Sequence, residues 1–218
     1  MNDFQFPLFA QPLGPRQWRD AVNEPLAWEP DEDELQNGPR TDFPDGIYIV
    51  TIHRDTPDEW IHLARKATIA AQGQHPGPDF LPGNIYDSAV AVRNGRIIGA
   101  AVACTEAPNR YRWTVALKPD GTAYTYDEVA CPDCGPRDER PGRARFDRAL
   151  AEEGYTPALY SIWVHPRYRR QHTGGQLVRE MARYFGTTAD QIGYRLPLSR
   201  EAVGMVRSLD LREIIGCF

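Results

Sequence analysis

The chain has 218 residues, which suits one domain with extensions or two small ones and is enough for a sizeable core. Its 30 acidic and 25 basic residues are intermixed and leave a formal net charge of −5, which argues against a general nucleic-acid binder. No run of roughly 18 apolar residues occurs, so no membrane-spanning helix is expected. The start, MNDFQFPLFAQPLG, has an early Asp3 and no basic stretch. A secretory leader is not expected, and the cytoplasm is the expected location. The four cysteines do not suggest a disulfide framework in a chain of this length.

Residues 1–45 read as a Pro-rich, acidic N-terminal arm, and residues 46–218 as the folded domain. Prolines stand at 7, 12, 15, 25, 30, 39 and 44, and Asp31-Glu32-Asp33-Glu34 is an acidic run. Such sequence resists regular structure. Yet Phe4, Phe6, Phe9, Trp18, Leu26 and Trp28 are many large apolar groups for a solvated tail. Part of the arm is expected to pack on the domain or on a second copy of the chain, as in a homodimer.

Residues 47–53 are a β-rich run. Asp55 or Thr56 can cap a helix with Pro57 at its first position, and Trp60, Ala64, Ala67 and Ala71 recur at helical spacing to about Gln72. Residues 88–93 and 96–105 flank Asn94-Gly95, the strongest hairpin signal in the chain. Gly99 in the second arm marks a bulge or a close backbone approach. A second hairpin is expected, with residues 111–117 and 122–128 around Pro119-Asp120-Gly121. Its aromatics Tyr111, Trp113, Tyr124 and Tyr126 line a cleft or fill one face of a sheet. Residues 142–153 read as a helix, because Phe146 and Leu150 lie one turn apart. Residues 156–164 read as a strand. The helix after Gly175 buries Leu177, Val178, Met181, Ala182 and Phe185 and turns Arg179, Glu180 and Arg183 outward. A short strand at 191–196, a helix capped by Ser199 and a last strand at 213–218 complete the order. This is a mixed α/β arrangement rather than a regular βαβ alternation.

The chemistry concentrates in residues 160–185, YSIWVHPRYRRQHTGGQLVREMARYF. An apolar strand feeds a basic loop, and Gly174-Gly175 lead into an amphipathic helix. Free backbone N–H groups at a helix start, with Arg169 and Arg170 beside them, form an anion-binding device. The bland alternative is a basic turn before an ordinary helix. Elsewhere, Cys131-Pro132-Asp133-Cys134 is half of a zinc knuckle. Cys104 and Cys217 are lone, and His53, His62, His75, His165 and His172 lack ligand spacing, so no metal site is assigned. Residues 137–148, RDERPGRARFDR, alternate basic with acidic groups and make a poor nucleic-acid surface.

Residues 46–215 resemble the GCN5-related N-acetyltransferases (GNAT). That family's loop signature is an arginine or glutamine, two residues, a glycine, one residue, then glycine or alanine. Here it reads Arg169-Arg170-Gln171-His172-Thr173-Gly174, with His172 where glycine is usual. The sister-chromatid cohesion acetyltransferases look closest. They share Ile162-Trp163-Val164, the paired arginines, the hairpin with Gly99 and a short C-terminus. The resemblance implies a GNAT-like, mostly antiparallel central sheet flanked by helices, with acetyl-CoA as acyl donor. Ile162, Trp163 and Val164 would pair with the pantetheine amides. Arg169, Arg170, Gln171, His172, Thr173, Gly174 and Gly175 would hold the pyrophosphate. Replacing Arg169 and Gly174 by Glu is then expected to abolish CoA binding and leave the domain folded.

For catalysis the resemblance implies a base, an oxyanion donor and an acid. Glu106 is the candidate base, and its plainer interpretation is a solvated loop carboxylate. Ser199 stands where a polar residue often neighbours the thioester, and is also simply a helix cap. Cys104 stands near a glutamate of the cohesion branch, where a small buried thiol is the default. The family's helix tyrosine aligns with Val206, and the cohesion branch's aspartate with Leu196. The acceptor would be an amine, on a small molecule or a protein lysine. The alternative is a GNAT-fold module that binds CoA or a protein partner without turnover.

Overall fold

The computed structural model describes residues 40–53, 55–56, 58–72, 86–104, 112–116, 146–149, 156–195, 198–211 and 213–217. Nine strands among them form one sheet: β1 (Arg40–Asp42), β2 (Ile47–Ile52), β3 (Tyr86–Arg93), β4 (Arg96–Cys104), β5 (Arg112–Ala116), β6 (Phe146–Ala149), β7 (Ala158–Val164), β8 (Gly193–Arg195) and β9 (Glu213–Cys217). The spatial order is β1-β2-β3-β4-β7-β8-β9-β5-β6. Pairing is antiparallel except at β7–β8 and β8–β9. This is the mixed, mostly antiparallel sheet expected of a GNAT-like fold.

Helix α1 (Asp58–Gln72) covers one face; α2 (Thr173–Tyr184) and α3 (Arg200–Arg207) cover the other. Side chains alternate faces along each strand. In β2, Ile47 and Ile49 join the core under α2 and α3, while Val50 and Ile52 join the core under α1. In β3, Ala89 and Ala91 face one way and Val90 and Val92 the other. With both faces covered, the central strands read as continuous apolar runs. None of the described helices is long and apolar enough to cross a membrane.

The Asn94-Gly95 hairpin forms as expected. Both residues are left-handed, with φ of 50° and 66°, as a type I′ turn requires. Both expectations for Gly99 also hold. Ala91 pairs with Gly99 and Val92 with Ile97, so Ile98 is an extra, bulged residue. A Cβ on Gly99 would lie 3.0 Å from the Trp163 carbonyl oxygen and 3.1 Å from Leu177 Cδ1. The small side chain lets β4 pass close under α2.

Four expectations need correction. Phe146–Ala149 is strand β6, not part of a helix, because pairing with β5 overrides a weak local preference. Both edges of β5 are taken, by β9 and β6, so β5 does not pair with 122–128. Residues 122–128 lie outside the described residues. Helix α2 starts at Thr173 rather than after Gly175. Glu180 is buried, not outward: it accepts from Thr41 Oγ1 at 2.9 Å and from Arg183 Nη2 at 2.8 Å and Nε at 3.0 Å. Its carboxylate fastens α2 to β1, a strand made from the last residues of the sequence-assigned arm.

The close pass at Gly99 is testable. A Gly99→Val variant is expected to lose roughly 1–3 kcal/mol of stability through overpacking against Leu177 and the backbone of β7. The measurement is the urea midpoint at unchanged m-value, and an unshifted midpoint would contradict the packing described.

Candidate functional site

Strand β7 has unequal edges. On one side it pairs with β4 from Ala158 to Val164. On the other it pairs with β8 only at Ala158 and Leu159. The strands part at Tyr160, which is itself a bulge, since Leu159 pairs with Ala103 and Ser161 with Val102. A bulge re-aims the strand and ends pairing. Beyond it, residues 160–164 have no strand on that side among the described residues.

Register decides which backbone groups meet the opening. The His165 N–H donates to the Ile98 carbonyl at 2.9 Å. Val164 and Gly99 are therefore a pair that exchanges no bonds, and Trp163 and Ala100 a pair that does. The N–H and C=O of Val164, and of Ile162 two residues back, thus point into the opening. Those of Trp163 point to β4, and its side chain is buried under α1. Of the three residues expected to pair with pantetheine, two offer their backbone and the third anchors the strand.

The loop after β7 is built on buried His165. Its Nδ1 accepts from the Arg167 N–H at 3.3 Å, and its carbonyl accepts from the Tyr168 N–H at 2.8 Å. One 3₁₀ turn, Pro166–Tyr168, results. Arg170 and His172 then adopt left-handed φ of 62° and 63°. Left-handed residues in a short loop turn successive N–H groups toward one point. His172 is the N-cap of α2 and its side chain makes no cap bond. The first bond into the helix runs from the Gln176 N–H to the His172 carbonyl, 3.0 Å. Within the described residues, the N–H groups of Arg170, Gln171, His172, Thr173, Gly174 and Gly175 have no acceptor. Thr173 is 1 % exposed and its Oγ1 has no hydrogen-bond partner. No carboxylate occurs from residue 160 to residue 179. These groups fit an anion.

Other side chains fix the loop. Gln171 accepts from Arg93 Nη1 at 3.1 Å and donates to the Arg167 carbonyl at 3.0 Å, tying it to the end of β3. Arg169 Nε donates to the Val164 carbonyl at 3.0 Å, inside the opening. Gly174 and Gly175 have a packing reason that the motif does not reveal. Their added Cβ atoms would lie 3.0 Å from Met205 Cγ and 3.2 Å from Leu209 Cδ2. A Gly174→Glu change would therefore drive a side chain into α3, and the expectation that it leaves the fold intact is corrected.

Helix α3 packs in the same core as Ile162 and Val164. Ser199 is its N-cap and accepts from the Ala202 N–H at 3.1 Å. The Glu201 carboxyl is held below the usual range, first by the backbone N–H of Glu201, then by Ser199, Arg169 and Arg200, against the opposing effect of burial. Ser199 thus serves as a helix cap. Glu106 lies outside the described residues, as do Leu196, Cys131 and Cys134. Cys104 is a buried free thiol beside Ala158. Val206 is fully buried. Tyr194 is no substitute acid: burial first, then Asp190, pushes its phenol up, and its hydroxyl donates to the Ala189 carbonyl at 2.8 Å.

Two stability measurements test the site. His172→Gly is expected to raise stability by roughly 0.5–1 kcal/mol, by removing a left-handed Cβ at an exposed position, and to leave the fold unchanged. A fall in thermal midpoint would argue against this geometry. Glu201 has a folded pKa below its ordinary 4.5, so it stabilises above that pH, and the contribution is lost as pH falls through the folded value. Glu201→Gln should show a shallower loss of stability on acidification below about 4.5, measured by urea unfolding against pH.

No protein-family model and no curated protein matches the chain. Solved structures do. The xEco2 acetyltransferase domain is 16% identical, with 82% of this chain and 94% of that one covered and a TM-score of 0.52. The same domain bound to a K105-CoA conjugate is 15% identical, with coverage of 82% and 96% and a TM-score of 0.53. At such identities the likeness is one of architecture, and it agrees with the strand order and the loop: the chain has the GNAT fold.

Proposed function

We propose that the protein is an acyl-CoA-dependent N-acyltransferase, transferring acetyl from acetyl-CoA to an amine. The observation that carries this is the meeting of two unsatisfied arrays. The open edge of β7 runs directly into the uncapped, carboxylate-free start of α2. One array suits a chain of amides, the other a pyrophosphate. The solved neighbour holding a CoA conjugate supports the same assignment.

Bound acetyl-CoA would supply an activated acyl carbon. The backbone of Ile162 and Val164 would align its amide arm, and one of those N–H groups would polarise the thioester oxygen. Arg170 and the N–H groups from Arg170 to Gly175 would hold the phosphates. Attack by a neutral amine forms the C–N bond as the C–S bond breaks, in a ternary complex, so placement is the main contribution of the protein. Glu106 is the proposed base for the amine proton. In sequence it follows two residues after Cys104, the last residue of β4, which pairs with Ala158.

A second reading, a module that binds CoA or a protein partner without turnover, is favoured by the burial of Val206 where the resemblance places a proton-donating tyrosine. Calorimetry with CoA and thiol release from acetyl-CoA separate the two. Arg169→Glu with Arg170→Glu should weaken CoA binding at least about tenfold, the loss of one or two charge-assisted bonds. Unchanged affinity would remove the site assignment. Thiol release that rises with amines or lysine peptides supports the enzyme; release at the buffer rate with CoA bound leaves the module.

A further inference from the structure

The acceptor end of the opening carries a cation that the acyl-CoA assignment does not use. Arg195 is the last residue of β8, and Tyr160 is the residue at which β7 leaves it. Tyr194 is buried under α2 and α3, so Arg195, its neighbour along the strand, faces the α1 side. Tyr160 also packs on the core under α1. The two meet there, with the Arg195 guanidinium 5.1 Å from the centre of the Tyr160 ring. Among the described residues no carboxylate pairs with Arg195. Its guanidinium is held by a ring face, which leaves its N–H groups available.

Position gives this pair its meaning. The anion-binding loop lies at the Val164 end of β7, and the helices around it lie on the α2 and α3 side. A pantetheine arm running back along the open edge, roughly 13 Å from 164 to 160 at strand rise, brings its thioester to the parting point. On the acyltransferase reading the cofactor would occupy the edge from the α2 side, which leaves the α1 side, past Tyr160 and Arg195, to the amine.

We infer that Arg195, braced on Tyr160, is a specificity-determining residue that selects amine acceptors carrying a carboxylate close to the reacting nitrogen, such as a lysine flanked by acidic residues. The inference rests on the acyltransferase reading above. A guanidinium offers a carboxylate two parallel N–H donors, and it repels a basic acceptor in the same place.

The experiment uses three peptides with one central lysine, flanked by Glu, Gln or Arg. Acetylation at the lysine is read by mass spectrometry, and CoA affinity by calorimetry. The wild type is expected to favour the Glu peptide over the Gln peptide by about tenfold in kcat/KM and to disfavour the Arg peptide. Arg195→Gln should flatten the series and Arg195→Glu invert it, both with CoA affinity unchanged. No preference in the wild type, or a preference that Arg195→Gln leaves intact, overturns the inference. Failure of the underlying reading looks different: CoA does not bind, or no peptide is acetylated. Anisotropy of the labelled peptides, with and without CoA, then decides. An Arg195-dependent preference for the Glu peptide sustains the inference, and equal affinities overturn it.

Discussion

Backbone groups of Ile162 and Val164 that find no strand among the described residues are the constraint from which the rest follows. A sheet normally closes every such group, and an unpaired edge inside one is a liability. Here the gap is kept open by local devices. Tyr160 bulges, β8 is three residues long, and Tyr194 is pinned inward by its bond to Ala189. Arg169 takes up the Val164 carbonyl, so the edge is partly satisfied from the loop itself. The rest is available to a ligand of amide character.

The tight packing beside the gap makes it durable. Gly99 lets β4 press against β7 and α2, and Gly174 and Gly175 let α2 press against α3. The same helix is fixed at its far end by the buried Glu180 carboxylate on Thr41 and Arg183. Its N-terminus can therefore carry left-handed Arg170 and uncapped His172 without fraying, because packing rather than capping holds the first turn. Strain at such residues persists only when the surroundings over-determine it.

Much of this was legible before any coordinates. Asn94-Gly95 specified a hairpin through the φ that only a few residues accept. The strand, basic loop and Gly-Gly helix start of 160–185 marked out the loop proposed to hold an anion, because their chemistry is local. What was hidden depends on partners far along the chain. Whether Ile162 or Trp163 offers its backbone is set by pairing with residues about 63 positions away. Phe146 and Leu150 gave a false helical period over a stretch whose conformation β5 imposes. Glu180 looked solvated because its partner Thr41 lies 139 residues earlier. Arg195 carried no signal at all, since only the parting of β7 and β8 gives it a position.

The strand order also bears on how the molecule is made. Strand β9, the last described, is not at an edge but sits between β8 and β5. Among the described strands, β5 and β6 thus attach to the rest of the sheet only through residues 213–217. During synthesis, β1 to β4 can assemble early as a meander of near neighbours, while β5 must wait about a hundred residues, and β6 about 64, for β9 to leave the ribosome. Until then their edges are exposed together, which makes this half of the sheet the stretch most in need of chaperoning.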